Sequence, residues 1–161
     1  MFPMVSIVLV EPEIPQNTGN IARTCACLGA PLHLIEPMGF RPTERNLRRA
    51  GCDYWDKVDI TCWPCAQAFF DAWEAGELGQ GALHLFTGQA SAPYHKASYG
   101  DGDFLVFGRE SRGLDPTLID VYADRCRRIP MADGARSLNL SNAVAIAAYE
   151  ACRQQGWPGL S

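Results

Sequence analysis

Short β-type apolar runs alternate with helix-type segments along nearly the whole chain, and this alternation constrains the fold most. Val5 to Val10, Leu32 to Ile35, Ala82 to Thr87, Phe104 to Phe107 and Cys126 to Ile129 read as strands, with Val58 to Ile60 a further candidate. Between them, Gln16 to Leu28 puts Ile21, Ala22, Cys25 and Leu28 on one helical face and meets Gly29 as its stop. Thr43-Glu44 opens a basic helix to about Ala50. Pro64 to about Trp73 is a third helix, and Asp115-Pro116 opens a short fourth one. The last helix runs from about Asn139 to Gln155, with Gly156 and Pro158 behind it as stop signals. The pattern predicts an α/β fold with a mainly parallel sheet flanked by helices. A length of 161 residues suits a single domain over 1–161. Ligands of such sheets sit beyond the carboxyl ends of the strands. The turns at 17–20, 108–113 and 130–142 are therefore where chemistry is expected, and the polar, Gly-bearing loop 88–102 is expected to be mobile.

Three of these segments have unusual composition. Arg136-Ser137-Leu138-Asn139-Leu140-Ser141-Asn142 stands immediately before an Ala-rich helix. Ser and Asn cap helices by accepting first-turn N–H groups, but one helix needs one cap. Ser141 or Asn142 is read as that cap, and Ser137 and Asn139 as binding or catalytic residues near a helix start that suits a polar ligand. Gly108-Arg109-Glu110-Ser111-Arg112-Gly113 has the spacing of a phosphate loop. It continues with Leu114 and Asp115 where the chemistry needs Lys and Ser or Thr, so an NTPase is excluded. Either Glu110 is ion-paired in a structural turn, or Gly108 lets a ligand approach the backbone. In Asn17-Thr18-Gly19-Asn20-Ile21-Ala22-Arg23, Asn17 or Thr18 can cap the helix, and Arg23 can hold a phosphate or a reacting hydroxyl.

The net charge of −4 offers no general basic surface for phosphate. Arg is clustered, however, at 41, 45, 48 and 49, at 109 and 112, and at 125, 127 and 128. No apolar run reaches membrane-spanning length and no export signal is recognisable, so a cytoplasmic protein is expected. Seven Cys residues then read as reduced thiols, mostly buried. Cys62-Trp63-Pro64-Cys65 allows a thioredoxin-like context between a strand and a helix. A zinc site would need a second pair at ligand spacing, which Cys25-x-Cys27 does not supply, and no metal is expected.

Together the segments resemble a known family. The residues that carry the likeness are Glu11 to Asn20, Ile35-Glu36-Pro37-Met38-Gly39-Phe40, Leu47-Arg48-Arg49-Ala50-Gly51, Phe107-Gly108 to Leu114, and Ile129-Pro130-Met131 through Asn142. In this order they resemble the SPOUT superfamily of S-adenosylmethionine-dependent RNA methyltransferases. More narrowly, they are similar to the small tRNA (cytidine/uridine) 2′-O-methyltransferases of the TrmL/YibK type. The resemblance implies a deep C-terminal trefoil knot, an exception to the rule against threaded chains. It also implies a homodimer with its active site at the subunit interface, tRNA as substrate, and methyl transfer to the wobble ribose. By motif position, Phe86, Gly108, Ile129, Met131 and Ser137 would hold S-adenosyl-L-methionine. Arg23, Ser137 and Asn139 would form the catalytic group, with Arg23 reaching the partner's cofactor. Asn17, Asn20, Glu110, Arg136 and Asn142 would face the substrate. The resemblance suggests Arg23 as base, but a guanidinium with a pKa above about 12 suits orienting a hydroxyl or holding a phosphate. Arg109 and Ser111 replace the family's usual Pro and Thr, which frees a fixed φ angle and adds charge near the cleft. Two alternatives stand beside this reading: an RNA-binding module that has lost catalysis, and a thiol oxidoreductase using Cys62 and Cys65.

Overall fold

The computed structural model describes residues 5–41, 43–49 and 55–161. Ala50 and Gly51, the end of the basic helix motif, lie outside them. Six strands among the described residues, β1 (Val5–Val10), β2 (Leu32–Ile35), β3 (Ile60–Trp63), β4 (Leu83–Phe86), β5 (Asp103–Phe107) and β6 (Cys126–Arg127), form one sheet in the order β3-β2-β1-β5-β4-β6. Every pairing is parallel. The helices are α1 (Pro15–Leu28), α2 (Glu44–Arg49), α3 (Ala66–Glu74), α4 (Pro116–Val121) and α5 (Leu140–Gln154).

Both faces of the sheet are covered, which is why its central strands are mostly apolar, with Ser6, His84 and Asp103 among the buried exceptions. Val5, Ile7 and Leu9 of β1, with Leu32 and Leu34 of β2 and Leu105 and Phe107 of β5, pack under α1 and α5. The alternate residues Val8, Val10, Ile35, Phe104 and Val106 pack on the other face with Phe69 and Phe70 of α3 and with Leu114. Buried His84 and Asp103 are paired with each other. His84 Nε2 lies 2.8 Å from Asp103, which also accepts the N–H groups of Ala82 and Gly100. Burial raises the Asp103 pKa, but these hydrogen bonds outweigh it and hold the carboxyl below its ordinary range.

Four strands differ from expectation: β4 is one residue shorter at each end and β5 begins one residue earlier, at Asp103. β3 begins at Ile60, where the sequence suggested its end, because pairing with β2 sets Leu32 opposite Ile60 and Ile35 opposite Trp63. β6 stops at Arg127, two residues early. The loop expected to be mobile is tied down. Arg128 N–H donates to Ala92 and Tyr94 N–H to Arg128, Tyr99 Oη donates to Tyr94, and Gln154 on α5 bonds both Ala97 and Tyr99.

Candidate active site

A cleft of about 530 Å³ opens beyond the carboxyl ends of β1, β4, β5 and β6. Its floor is the stacked pair Phe86 and Phe107, with ring centroids 4.7 Å apart and planes 12° apart. These are the last residues of neighbouring strands β4 and β5, in direct register. Gly108 to Gly113 forms one wall, Ile129 and Met131 another, and Ser137 to Leu140 a third.

The wall at 108–113 is fixed by its own backbone. Arg109 and Gly113 exchange N–H···O bonds of 3.2 and 2.8 Å. A Cβ on Gly108 would lie 2.1 Å from the Gly113 carbonyl carbon and 2.2 Å from the Leu114 nitrogen. What Gly108 admits is therefore the chain's own return strand. The wall is also clasped to the segment that follows β1. Arg109 pairs with Glu11 at 3.0 Å, and Ser111 gives both its N–H and its hydroxyl to Glu13. Those two bonds from Ser111 hold the Glu13 carboxyl below its usual range. The charge that Arg109 adds is thus met by Glu11. That glutamate has a left-handed φ of 55°, a conformation retained where surrounding contacts over-determine it.

Glu110 turns toward α1, away from the ion-paired role the sequence allowed it. Its carboxylate accepts the N–H groups of Glu13 at 2.8 Å and Ile14 at 3.1 Å, and Asn17 Nδ2 at 3.4 Å. Ile14 is the N-cap residue of α1 and has no side-chain cap of its own. Glu110 therefore caps α1 from 96 residues away, a favourable place for a carboxylate. Asn17 does not cap α1 but sits one turn in, buried. Its Oδ1 accepts from Asn139 Nδ2 at 3.1 Å. Asn139 in turn is the cap of α5, a role the sequence suggested for Ser141 or Asn142. Its Oδ1 accepts Ser141 N–H at 2.9 Å, Ser141 hydroxyl at 2.5 Å and Asn142 N–H at 3.4 Å.

All five residues expected at the cofactor, Phe86, Gly108, Ile129, Met131 and Ser137, line this one cleft. So do Asn17, Glu110 and Asn139. Asn20, Arg23, Arg136 and Asn142 are exposed and are not among its lining residues. Sequence reasoning missed the clasp through Glu11 and Glu13, whose only signal is the odd Glu-Pro-Glu after an apolar strand. It also missed Thr87 and Gln89 in the cleft lining. Several clustered arginines have internal partners. Arg127 Nη1 donates to the carbonyls of Asp124 and Cys126, Arg128 to that of Gly88, and Arg125 lies over the Trp73 ring.

The thiol motif is divided between two elements. Cys62 lies inside β3 and Cys65 is the extended N-cap residue of α3. Partial desolvation, with Glu36 adding, pushes the Cys62 pKa up, opposite to the depression a redox nucleophile needs. Three of the described thiols, Cys27, Cys62 and Cys65, are exposed, so only Cys25, Cys126 and Cys152 fit the buried expectation. No metal-capable cluster of side chains occurs among the described residues. No helix among them is long and apolar enough to cross a membrane.

Residues 4–149 match the SpoU rRNA methylase family. The chain belongs to this family. A relative from Escherichia coli strain K12, named tRNA (cytidine(34)-2′-O)-methyltransferase, is 49% identical over 158 residues, covering 97% of each chain. A solved structure described as giving insights into the 2-OH methylation of C/U34 on tRNA has a TM-score of 0.86 at 44% identity, covering 94% of this chain and 96% of the other. The SpoU methyltransferase AviRb from Streptomyces viridochromogenes, solved with AdoMet, has a TM-score of 0.82 at 23% identity, over 96% of this chain and 59% of that one. At that identity the likeness is one of fold.

Proposed function

We propose that this SpoU-family chain transfers a methyl group from S-adenosyl-L-methionine to the ribose 2′-hydroxyl of the wobble pyrimidine, cytidine or modified uridine, in a tRNA anticodon loop. The supporting observation is the convergence in one cleft of Phe86, Gly108, Ile129, Met131 and Ser137, in a chain alike over nearly its full length to a tRNA 2′-O-methyltransferase.

The residues fit the cofactor. The volume lies in the range of small-molecule sites, whose walls are mostly apolar with a few fixed polar groups. Phe86, Phe107, Ile129 and Leu138 offer apolar surface to an adenosyl group, and the backbone around Gly108 and Met131 offers hydrogen bonds. When bound, S-adenosylmethionine would supply an electrophilic sulfonium methyl group, and its sulfur would leave as a neutral thioether.

The chain's own task is then alignment, since placing reacting atoms supplies much of such a rate. Ser137 and Asn139, at the start of α5, hold the ribose and the cofactor carboxylate. Arg23 orients the hydroxyl or an adjacent phosphate. Its place outside the cleft lining supports a role at the site of a partner subunit in a homodimer. Exposed Ile146 and Tyr149, on α5, supply apolar surface for that contact. The knotted C-terminal arrangement of the superfamily, a cytoplasmic setting and RNA readout at an unpaired loop base belong to the same reading.

The test is transfer of labelled methyl to tRNA lacking 2′-O-methylation, followed by nuclease mapping, with Arg23→Ala in parallel. Label on a wobble ribose, lost in Arg23→Ala, is expected. A folded, cofactor-binding chain that labels no tRNA would overturn the reading in favour of a binding module.

A further inference from the structure

Glu110, Asn17 and Asn139 form a directional relay whose two ends leave no ambiguity. A carboxylate only accepts, so Asn17 must turn Nδ2 toward Glu110 and Oδ1 toward Asn139. At the other end, backbone N–H groups of Ser141 and Asn142 only donate, so Asn139 must turn Oδ1 toward them. Both requirements agree with the Asn139 Nδ2 to Asn17 Oδ1 bond of 3.1 Å. The orientation of each amide, ordinarily a matter of inference, is thus dictated by the charge at Glu110 and the start of α5.

One hydrogen-bonding group remains. Asn139 Oδ1 is fully engaged, and one Nδ2–H is given to Asn17. The second Nδ2–H belongs to a residue that lines the cleft. We propose that Glu110 and Asn17 are positioning residues that lock the Asn139 amide, so that its remaining Nδ2–H serves as a fixed donor to an acceptor oxygen in the cleft. The acceptor is an oxygen lone pair, of a ribose hydroxyl or of a carboxylate. This inference rests on the methyltransferase reading only for what occupies the cleft. Such a donor is useful because it needs no reorganisation when the ligand arrives.

The isosteric variant Asn17→Asp tests the relay. It sets a carboxylate oxygen against Glu110 where a donor stood, and two adjacent carboxylates cannot both stay ionised at low cost. The other charges on the two loops are Glu11, Glu13, Arg109 and Arg112, and the first turn of α5 carries none. At neutral pH kcat should fall by at least about tenfold. It should recover as the pH is lowered and the pair takes up one proton, relative to wild type at each pH. Asn17→Asp combined with Glu110→Gln should also recover, since the glutamine amide can donate to the introduced carboxylate. A purely structural role would lower Tm and leave kcat of the folded enzyme unchanged. The uncharged Asn17→Ala, expected to fold with the α5 cap intact and to lose at least about tenfold in kcat, gives a second route if Asn17→Asp does not fold.

A readout apart from turnover is the side-chain amide resonance of Asn139 in ¹⁵N spectra, identified by its loss in Asn139→Ala. It should titrate in Asn17→Asp and return to its wild-type position in the double variant. The relay is overturned if Asn17→Asp matches wild type in both kcat and this resonance at every pH, or if neither acid nor Glu110→Gln restores it. A wild-type chain that labels no tRNA, with the resonances behaving as described, would sink the methyltransferase reading and leave the relay standing.

Discussion

Gly108 carries the tightest single-residue constraint in the cleft. A methyl group there would overlap backbone atoms of Gly113 and Leu114, which cannot rotate away as a side chain can. Gly108→Ala should therefore cost about 3 kcal/mol and lower Tm by roughly 6–12 °C. A calorimetric shift under about 2 °C would show that the return strand can move. The sequence offered a ligand as the reason for this glycine, and the reason lies in the return of the same chain at Gly113. His33 constrains in a different way. Its Nδ1 accepts from Trp63 Nε1 at 3.0 Å, so the ring is neutral with its proton on Nε2. Burial, opposed by Asp59, lowers its pKa to about 4 from 6.5. The unfolded chain takes up this proton first as pH falls, so the stabilisation is complete above pH 6.5 and is lost between 6.5 and about 4. The full loss is about 3 kcal/mol. Denaturant unfolding of wild type and His33→Gln across that window should give a steeper pH slope for wild type. Parallel slopes would remove His33 as the cause.

At the scale of elements, the caps show what local sequence can and cannot say. Asn139→Ala should cost α5 about 1–2 kcal/mol, whereas Ser141→Ala, whose hydroxyl only donates to Asn139 Oδ1, should cost under about 0.5 kcal/mol. Urea unfolding of the two variants decides between them, and a larger loss for Ser141→Ala would return the cap to that residue. Four candidate cap residues in one stretch could be counted from sequence, but which one turns toward the helix depends on Asn17, which lies 122 residues away. The cap on α1 was illegible for the same reason, since its carboxylate arrives from the loop after β5. Strands β1 and β2 were legible to the residue because both of their faces are buried and their ends are marked by Glu-Pro and Pro-Leu. β3 was not, because Cys62 and Trp63 read as a thiol motif while their backbone was completing a ladder with β2.

At the scale of the whole molecule, the parallel sheet and the ring of turns at its carboxyl edge followed from alternation alone. The meeting of 17, 110 and 139 did not, because it depends on strand order: β1 and β5 are neighbours although β2, β3 and β4 all lie between them along the chain. Arg23 poses the remaining question of assembly. It is an exposed residue on α1, whereas Ser137 lines the cleft. If the two serve one reaction across a twofold interface, Arg23→Ala and Ser137→Ala should each abolish methyl transfer as pure dimers. Unfolded together and refolded at equal concentration, they should regain about a quarter of wild-type activity, because about half of the dimers would be mixed and each mixed dimer would hold one intact site and one doubly altered site. Sedimentation should report twice the 17.7 kDa chain mass for all three preparations. Ile146→Asp, which puts a charge on an exposed apolar position of α5, should shift the mass to one chain and remove activity with it. Activity that stays at zero in the refolded mixture, with the dimer mass intact, would mean that each site draws Arg23 and Ser137 from the same subunit.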